Sequence, residues 1–248
     1  MKDVLYIICF YWQGDRWQQE GYAQPEGYVN PLQHHINRAN KLEDYLPSQY
    51  VNNLYQGVKK FSDSPFKFIC FTNEKLSVND NIDVRPFPII SKMGVLPRLW
   101  MFSEDSGLFG HQVLCLDLDT IIVGGLRDIM NYSGRFCTLS KLYAKDTSEL
   151  GGGIIGFQSC KENEKLFWKS FIQDKEQGEK LTQGRERIWF SEVASDTADR
   201  WDKVVPGQMV SYKLQVKKTI PKGARIIYCH GIPRPHEIKN AWIKKYWQ

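Results

Sequence analysis

Two aspartates, Asp117 and Asp119, stand inside an apolar run near the middle of the chain, LCLDLDTIIV. In an extended strand, side chains two positions apart share a face, so both carboxylates could reach one point. Like charges this close repel unless a cation lies between them or their pKa values separate. Carboxylate oxygens favour Mg²⁺ or Mn²⁺ over zinc. The pattern therefore predicts a divalent-metal site. The alternative is a solvated turn that contains two acids, which agrees less well with the apolar residues on either side.

A second group of chemically capable side chains follows an apolar run near the C-terminus, RIIYCHGIPRPH. His230 is predicted to complete the metal shell of the two aspartates as a neutral nitrogen ligand. Gly231 would let the backbone approach a phosphate closely. The guanidinium of Arg234 can form paired hydrogen bonds to diphosphate oxygens. Because a single histidine at a strand end is more often structural, the metal assignment depends on its pairing with Asp117 and Asp119.

Short, nearly continuous apolar runs alternate with amphipathic segments along the chain. Such runs suit strands covered on both faces, which favours an α/β sandwich with a mostly parallel central sheet. Helices are predicted at 51–61, 162–171 and 238–247, where apolar residues recur at helical spacing. Segment 12–46 is polar and rich in Gly and Pro, and it follows the first strand. Open α/β folds place ligand loops there, so it is expected to form part of the nucleotide or acceptor site, unless it is a surface excursion without a chemical role.

The composition fits one globular domain spanning residues 1–248. Lys and Arg number 33 and Asp and Glu 28, a net charge of +5 that permits an anionic partner without requiring one. No stretch approaches the roughly 18 consecutive apolar residues of a membrane span. We therefore expect no membrane span and a cytoplasmic location. The six cysteines are far apart, which indicates reduced, buried thiols rather than disulfides or a zinc site.

Several short motifs together resemble glycosyltransferases of the GT-A fold, particularly relatives of glycosyltransferase family 8 and a bacterial and phage branch of them. In chain order the motifs are GVLPRL, LDLDT, GGGIIGF and HGIPRP, and this is the family's order. Further stretches that look like that branch are YVNNLY, FICFTN and PGQMVSYK, so the resemblance covers nearly the whole chain. It implies transfer of a hexose or pentose from a nucleotide-diphosphate sugar, UDP-linked by analogy, to an acceptor hydroxyl. It also implies Mn²⁺ or Mg²⁺ as the cofactor, an ion that would neutralise the departing diphosphate.

The resemblance assigns roles to individual residues. Asp117 and Asp119 match the D-x-D that holds the metal, with Asp119 the more direct ligand and part of the catalytic machinery. The positions that match donor contacts are Phe10 and Tyr11 at the nucleotide base, Arg98 ahead of the D-x-D, Gly151, Gly152 and Gly153 beneath the donor sugar, and Arg234 at the diphosphate. The family's asparagine is replaced by Gly151. Phe10 and Tyr11 could equally be core residues, and the glycines could serve only a tight turn.

Two positions depart from the family pattern. The family's metal histidine often lies at the position of Tyr228, and His230, two residues on, would share its face in an extended strand. His236 is a rival for the same role. The family tends to have an acid where this chain has Arg185, which leaves Glu186 as the nearest carboxylate. Glu186 is therefore the predicted catalytic acid or base, and a retaining or inverting outcome stays open.

Two other functions compete with this interpretation. The sequence Asp-Leu-Asp-Thr superficially resembles the D-x-D-x-T of haloacid-dehalogenase-like phosphatases, in which the first aspartate is a nucleophile. The threonine comes one position early, however, and that motif normally closes the first strand. The altered position of Arg185 also makes a non-catalytic module that binds a nucleotide sugar plausible. No motif encodes the acceptor, so a glycan, a small molecule, a protein and a modified nucleic acid all stay open.

Overall fold

The computed structural model describes residues 4–12, 47–141, 148–216, 218–230 and 233–248. Its strands are β1 Leu5–Phe10, β2 Phe66–Phe71, β3 Ile82–Arg85, β4 Gln112–Leu116, β5 Thr120–Ile122, β6 Phe136–Thr138, β7 Ile154–Gln158, β8 Asp199–Arg200, β9 Met209–Ser211 and β10 Ile226–Tyr228. Its α-helices are α1 Pro47–Phe61, α2 Arg127–Met130, α3 Lys161–Asn163, α4 Ser170–Gln173, α5 Lys175–Thr182, α6 Glu186–Ala194, α7 Trp201–Val204, α8 Tyr212–Gln215 and α9 Ile243–Tyr246. Segment 13–46 and Gly231 lie outside the described residues, so their predicted roles stay predictions.

In the described part of the chain, seven strands form the central sheet in the order β3-β2-β1-β4-β7-β6-β8. The first four of these pair in parallel, β7 runs antiparallel to both of its neighbours, and β8 is parallel to β6. The predicted mostly parallel sheet is confirmed. In β1, alternate side chains enter two hydrophobic clusters on opposite faces of the sheet. Burial of both faces explains why the strand sequences are apolar without alternation.

Helices cover both faces, and two of the three predicted ones are present. In α1, Val51, Leu54 and Val58 are fully buried against the sheet, as their spacing predicts. The second helical region consists of α3, a π-helical stretch Glu164–Lys169, and α4. The prediction of a helix over 238–247 is wrong for most of its length, because only α9 is helical there.

The C-terminal periodicity has a different physical cause from that of a helix. Ile238 and Ile243 are buried in a cluster beside β10, whereas the Trp247 ring packs edge-on against Tyr50 of α1, with ring centroids 5.0 Å apart. The apolar residues are thus spaced to contact two different surfaces, and a continuous helix would direct them to one. A short 3-10 helix, Pro235–Glu237, precedes this segment.

A second, three-stranded sheet in the described residues has the order β5-β10-β9. β10 pairs antiparallel with β5 and parallel with β9, and a separate hydrophobic cluster lies around these strands. Because β5 follows Asp119 directly and His230 comes two residues after β10, this sheet brings the C-terminal motif to the D-x-D turn. None of the described helices combines the length and the apolar character needed to cross a bilayer.

Candidate active site

The two aspartates lie in the tight turn between β4 and β5, beyond the extended part of β4. The backbone N–H of Thr120 donates to the carbonyl of Asp117 at 3.1 Å, which closes the turn. The expectation that Asp117 and Asp119 share a face of a regular strand is therefore wrong. Their carboxylates have different cationic partners: Asp117 contacts Arg98, and Asp119 contacts Arg234.

Arg98 joins the first aspartate to the predicted catalytic glutamate. Its Nη1 contacts Oδ1 of Asp117 and lies 3.2 Å from Oε1 of Glu186, while its Nη2 donates to Sγ of Cys115 at 3.3 Å. The side chains of Arg98 and Glu186 are buried, at 6% and 4% exposure, whereas that of Asp117 is 40% exposed. One buried cation therefore orients two carboxylates, one buried and one partly exposed.

Arg98 and Cys115 keep their charge states across the physiological pH range. Burial acts to lower the pKa of Arg98, but the charges of Asp117 and Glu186 outweigh it, and the pKa is raised well above its ordinary value. Burial raises the pKa of Cys115 to about 11, although Arg98 acts in the opposite direction. The guanidinium thus stays positive and the thiol stays neutral at any physiological pH.

The glycines before β7 lie directly against both carboxylates. Gly153 has φ +90°, and a Cβ there would lie 2.9 Å from Oδ2 of Asp117. A Cβ at Gly152 would lie 3.4 Å from Oε1 of Glu186. The backbone N–H of Asp117 donates to the carbonyl of Gly153 at 2.8 Å, so the two segments are also joined through their backbones. The two glycines thereby let the backbone before β7 approach both carboxylates closely. Gly151, in contrast, packs on Leu139.

Arg234 and Asp119 form a second ion pair, next to the first turn of the 3-10 helix. Glu237 fixes the arginine backbone: its Oε2 accepts from the N–H of Arg234 at 2.8 Å. The carbonyl of Asp119 accepts from the N–H of Cys229 at 3.3 Å, which ties the turn to the end of β10. The side chain of Arg234 is 42% exposed and that of Asp119 12%. Arg234 is therefore accessible to an anionic ligand.

The two candidate histidines have other hydrogen-bond partners. Nε2 of His230 lies 2.8 Å from Oγ of Ser211, and burial, followed by the positive charge of Lys213, lowers the pKa of His230. Nδ1 of His236 contacts the hydroxyl of Tyr50. Within the described ranges, no three His, Cys, Asp or Glu side chains are grouped closely enough to hold a metal ion.

The predicted ligand set of Asp117, Asp119 and His230 is therefore not gathered in this structure. The two carboxylates by themselves still suit a hard cation. Mg²⁺ is commonly held by one or two carboxylates while substrate phosphates and water fill its other positions. The donor set therefore fits a divalent ion that binds together with a diphosphate, and it does not form a closed protein cage.

The two aromatic residues predicted at the nucleotide base differ in their surroundings. The Phe10 ring stacks on Phe71, with centroids 5.0 Å apart, and meets the edge of Phe87 at 5.2 Å. It is buried in the core. Tyr11 is only partly buried, and its N–H donates to the carbonyl of Phe71 at 2.9 Å. The structure thus places Phe10 in the core and leaves the Tyr11 side chain as the more accessible of the two.

Two residues that the sequence analysis did not assign to the site also support it. Cys115, on β4, contacts the Arg98 guanidinium, and no motif signals this contact. Glu237 follows Arg234 by three residues and caps the 3-10 helix with Pro235 at its start. That spacing is a known helix-start pattern and could have been read from the sequence.

No family model matches the sequence, and no curated protein matches it. Solved structures do match. An active-site mutant of LgtC gives a TM-score of 0.59 at 9% identity over 95% of this chain and 91% of LgtC. The galactosyltransferase LgtC in complex with donor and acceptor sugar analogs gives 0.57 at 10% identity over 97% and 93%. The glycosyltransferase GlyE from Streptococcus pneumoniae TIGR4 gives 0.57 at 12% identity over 94% of this chain and 56% of GlyE, so the chain spans about half of GlyE.

The fold is GT-A. The neighbours that share it are glycosyltransferases, and at these identities the likeness establishes architecture alone. It confirms the expected fold class. The family 8 motifs and the individual site residues stay predictions.

Proposed function

We propose that this chain is a glycosyltransferase that moves a hexose or pentose from a nucleotide-diphosphate sugar, UDP-linked, to an acceptor hydroxyl, with Mn²⁺ or Mg²⁺ as cofactor. One observation carries the proposal: the buried Arg98 directs Asp117 and Glu186 to a glycine-lined space on a GT-A fold. The neighbour solved with donor and acceptor sugar analogs supports a two-substrate reaction of this kind.

The diphosphate of the donor would lie at Asp119 and Arg234. When bound, a divalent cation held by Asp117 and Asp119 would neutralise charge on the departing nucleotide. Arg234 contacts Asp119 and is partly exposed, so its guanidinium can exchange that carboxylate for diphosphate oxygens with a small movement. A preorganised positive charge at the leaving group is the largest contribution that these residues can make to the rate.

The donor sugar would lie over Gly152 and Gly153, which place no side chain of their own between the sugar and the two carboxylates. Glu186 is the carboxylate that faces this space from inside the protein, and we assign it the catalytic role. Its burial places the carboxylate in a medium of low dielectric, where its charge would act more strongly on the bound sugar than it would in water.

The test compares Asp119→Ala with Asp63→Asn. Asp63 also accepts from an arginine, with its Oδ2 2.6 Å from Nε of Arg127, so the control removes a more exposed arginine–aspartate ion pair outside the candidate site. Nucleotide sugars are first screened by thermal shift with and without Mn²⁺, because a ligand of the folded state raises the melting temperature. Nucleotide release is then measured with the donor that binds.

We expect Asp119→Ala to fold and to lose turnover by at least about 10²-fold, and Asp63→Asn to remain active. An Asp119→Ala protein that turns over normally and ignores a chelator contradicts the proposal. Donor binding without turnover in the unaltered chain would favour the binding module, and release of phosphate from phosphomonoesters would favour the hydrolase.

A further inference from the structure

Positive charge is concentrated in one part of the chain. Residues 205–248, here called the C-terminal segment, contain nine Lys or Arg and one acid, Glu237, a net charge of +8. The other 204 residues contain 24 basic and 27 acidic residues, a net charge of −3. The overall value of +5 therefore conceals a strongly basic segment joined to a weakly acidic body.

The described lysines of this segment point outward. Those that are exposed are Lys213, Lys218, Lys222, Lys239, Lys244 and Lys245. The large apolar side chains that are exposed in the described residues all lie outside the segment, at positions 4, 84, 89, 172, 181 and 204. The described surface of the segment thus offers repeated point charges, and none of its described large apolar side chains is fully exposed to enter a membrane.

The lysines adjoin the candidate active site. Lys213 lies in α8, two residues after Ser211, whose Oγ is 2.8 Å from Nε2 of His230. The neighbouring Tyr212 hydroxyl donates to Oδ1 of Asn240 at 2.8 Å, so α8 packs on the stretch that carries Lys239. Cys229, the residue before His230, donates its N–H to the carbonyl of Asp119 at 3.3 Å, which links this region to the D-x-D turn. Basic side chains thus continue from the site onto the surface.

We propose that the acceptor is a hydroxyl-bearing polymer linked by phosphodiesters, such as a polyol or sugar phosphate chain, and that it binds along the C-terminal segment through Lys213 and Lys239. This inference rests on the proposed function and names its acceptor class. Separate lysines spread over a surface suit a long anion better than a single phosphate, since each contributes a point charge. A neutral glycan would gain no electrostatic binding energy from the net charge of the C-terminal segment.

Two features favour such a polymer over nucleic acid. Proteins that bind single strands offer exposed aromatic side chains for base stacking. In the described part of the C-terminal segment, Tyr212, Tyr228, Trp242, Tyr246 and Trp247 are all half-buried, so no tyrosine or tryptophan ring there is fully exposed. An unmodified DNA duplex, in addition, presents no free hydroxyl along its length to receive a sugar, whereas a polyol phosphate presents one in every unit.

The experiment measures binding of fluorescent poly(glycerol phosphate) as a function of salt, with dextran, single-stranded DNA and vesicles containing phosphatidylglycerol as comparison ligands. The variant is Lys213→Gln with Lys239→Gln. The matched control is Lys161→Gln with Lys165→Gln, which removes the same charge from two exposed lysines outside the segment. Binding of the nucleotide-sugar donor is measured in parallel, without polymer. A chain that binds no donor would count against the proposed function, whereas the polymer measurements test the acceptor proposal on their own.

We expect the unaltered chain to bind poly(glycerol phosphate) and not dextran, with an affinity that falls steeply as salt rises. The Lys213/Lys239 variant should bind at least about tenfold more weakly, and its log–log salt slope should be less steep, because two phosphate contacts are lost. The control should match the unaltered chain. Equal losses in both variants, equal binding to dextran, or preferential binding to DNA or vesicles would each overturn the proposal.

Discussion

Gly153 is the position where backbone conformation and the carboxylate of the site are most directly connected. Replacing it with alanine has two separable effects. At φ +90° an L-residue is strained by about 1–2 kcal/mol. The new Cβ would also lie 2.9 Å from Oδ2 of Asp117, which must then move by roughly 0.5 Å to reach an ordinary contact. Because a carboxylate end moves more easily than backbone, the contact should displace Asp117 and add little to the loss of stability.

Gly110 provides the matched control. Its φ is +85°, so Gly110→Ala introduces nearly the same backbone strain, but a Cβ there meets nothing within 4 Å. A loss of about 1–2 kcal/mol in a chain of this size lowers the melting temperature by about 2–8 °C. We expect both variants to show a shift in this range. Only Gly153→Ala should lose kcat/KM, by about ten- to a hundredfold, since catalysis is sensitive to misplacement of this order.

Melting temperatures and rates of nucleotide release, measured for both variants, separate the effect of backbone strain from the effect of displacing Asp117. If Gly153→Ala keeps full activity, the position of the Asp117 carboxylate has no role in turnover. If Gly110→Ala loses as much activity as Gly153→Ala, the loss follows from backbone strain in general. Either result would refute the geometric role given to the glycine turn.

Two further predictions concern the buried ion pair of Arg98 and Glu186. Glu186→Gln should bind donor normally and lose turnover by about 10²- to 10⁴-fold; unchanged nucleotide release would remove Glu186 from catalysis. Arg98→Met should lower the free energy of unfolding by about 3–5 kcal/mol, since Glu186 is left as a buried charge without this partner. Arg127→Met, which removes an exposed ion pair, should cost no more than about 1 kcal/mol, so similar denaturation midpoints for these two variants would contradict the structural role of Arg98.

Much of the fold follows from local sequence. The continuous apolar runs predict β1, β2, β4, β6 and β7 because both faces of their sheet are buried, and hydrophobic burial acts on each strand wherever its partners come from. The spacing of apolar residues in α1 predicts its buried face for the same reason. The position of the aspartates at the end of β4 is likewise visible in the sequence.

The same local patterns mislead where two surfaces compete for one segment. Residues 238–247 have helical spacing, yet their apolar side chains divide between the small sheet and α1. The run before His230 is a strand, as predicted, but it joins the three-stranded sheet and not the central one. Periodicity reports which side chains are buried and does not report what they are buried against.

The sequence by itself determined the α/β architecture, the two acids after β4 and the basic residue near the C-terminus. Only the tertiary structure decided that Asp117 and Asp119 have separate arginine partners, that His230 lies beside Ser211, and that Glu186 is buried against Arg98. Arg234 and Asp119 are 115 positions apart, and a contact over that separation depends on how the small sheet closes on the D-x-D turn. Side-chain type and spacing set which interactions are chemically possible, while the packing of distant elements selects which of them form.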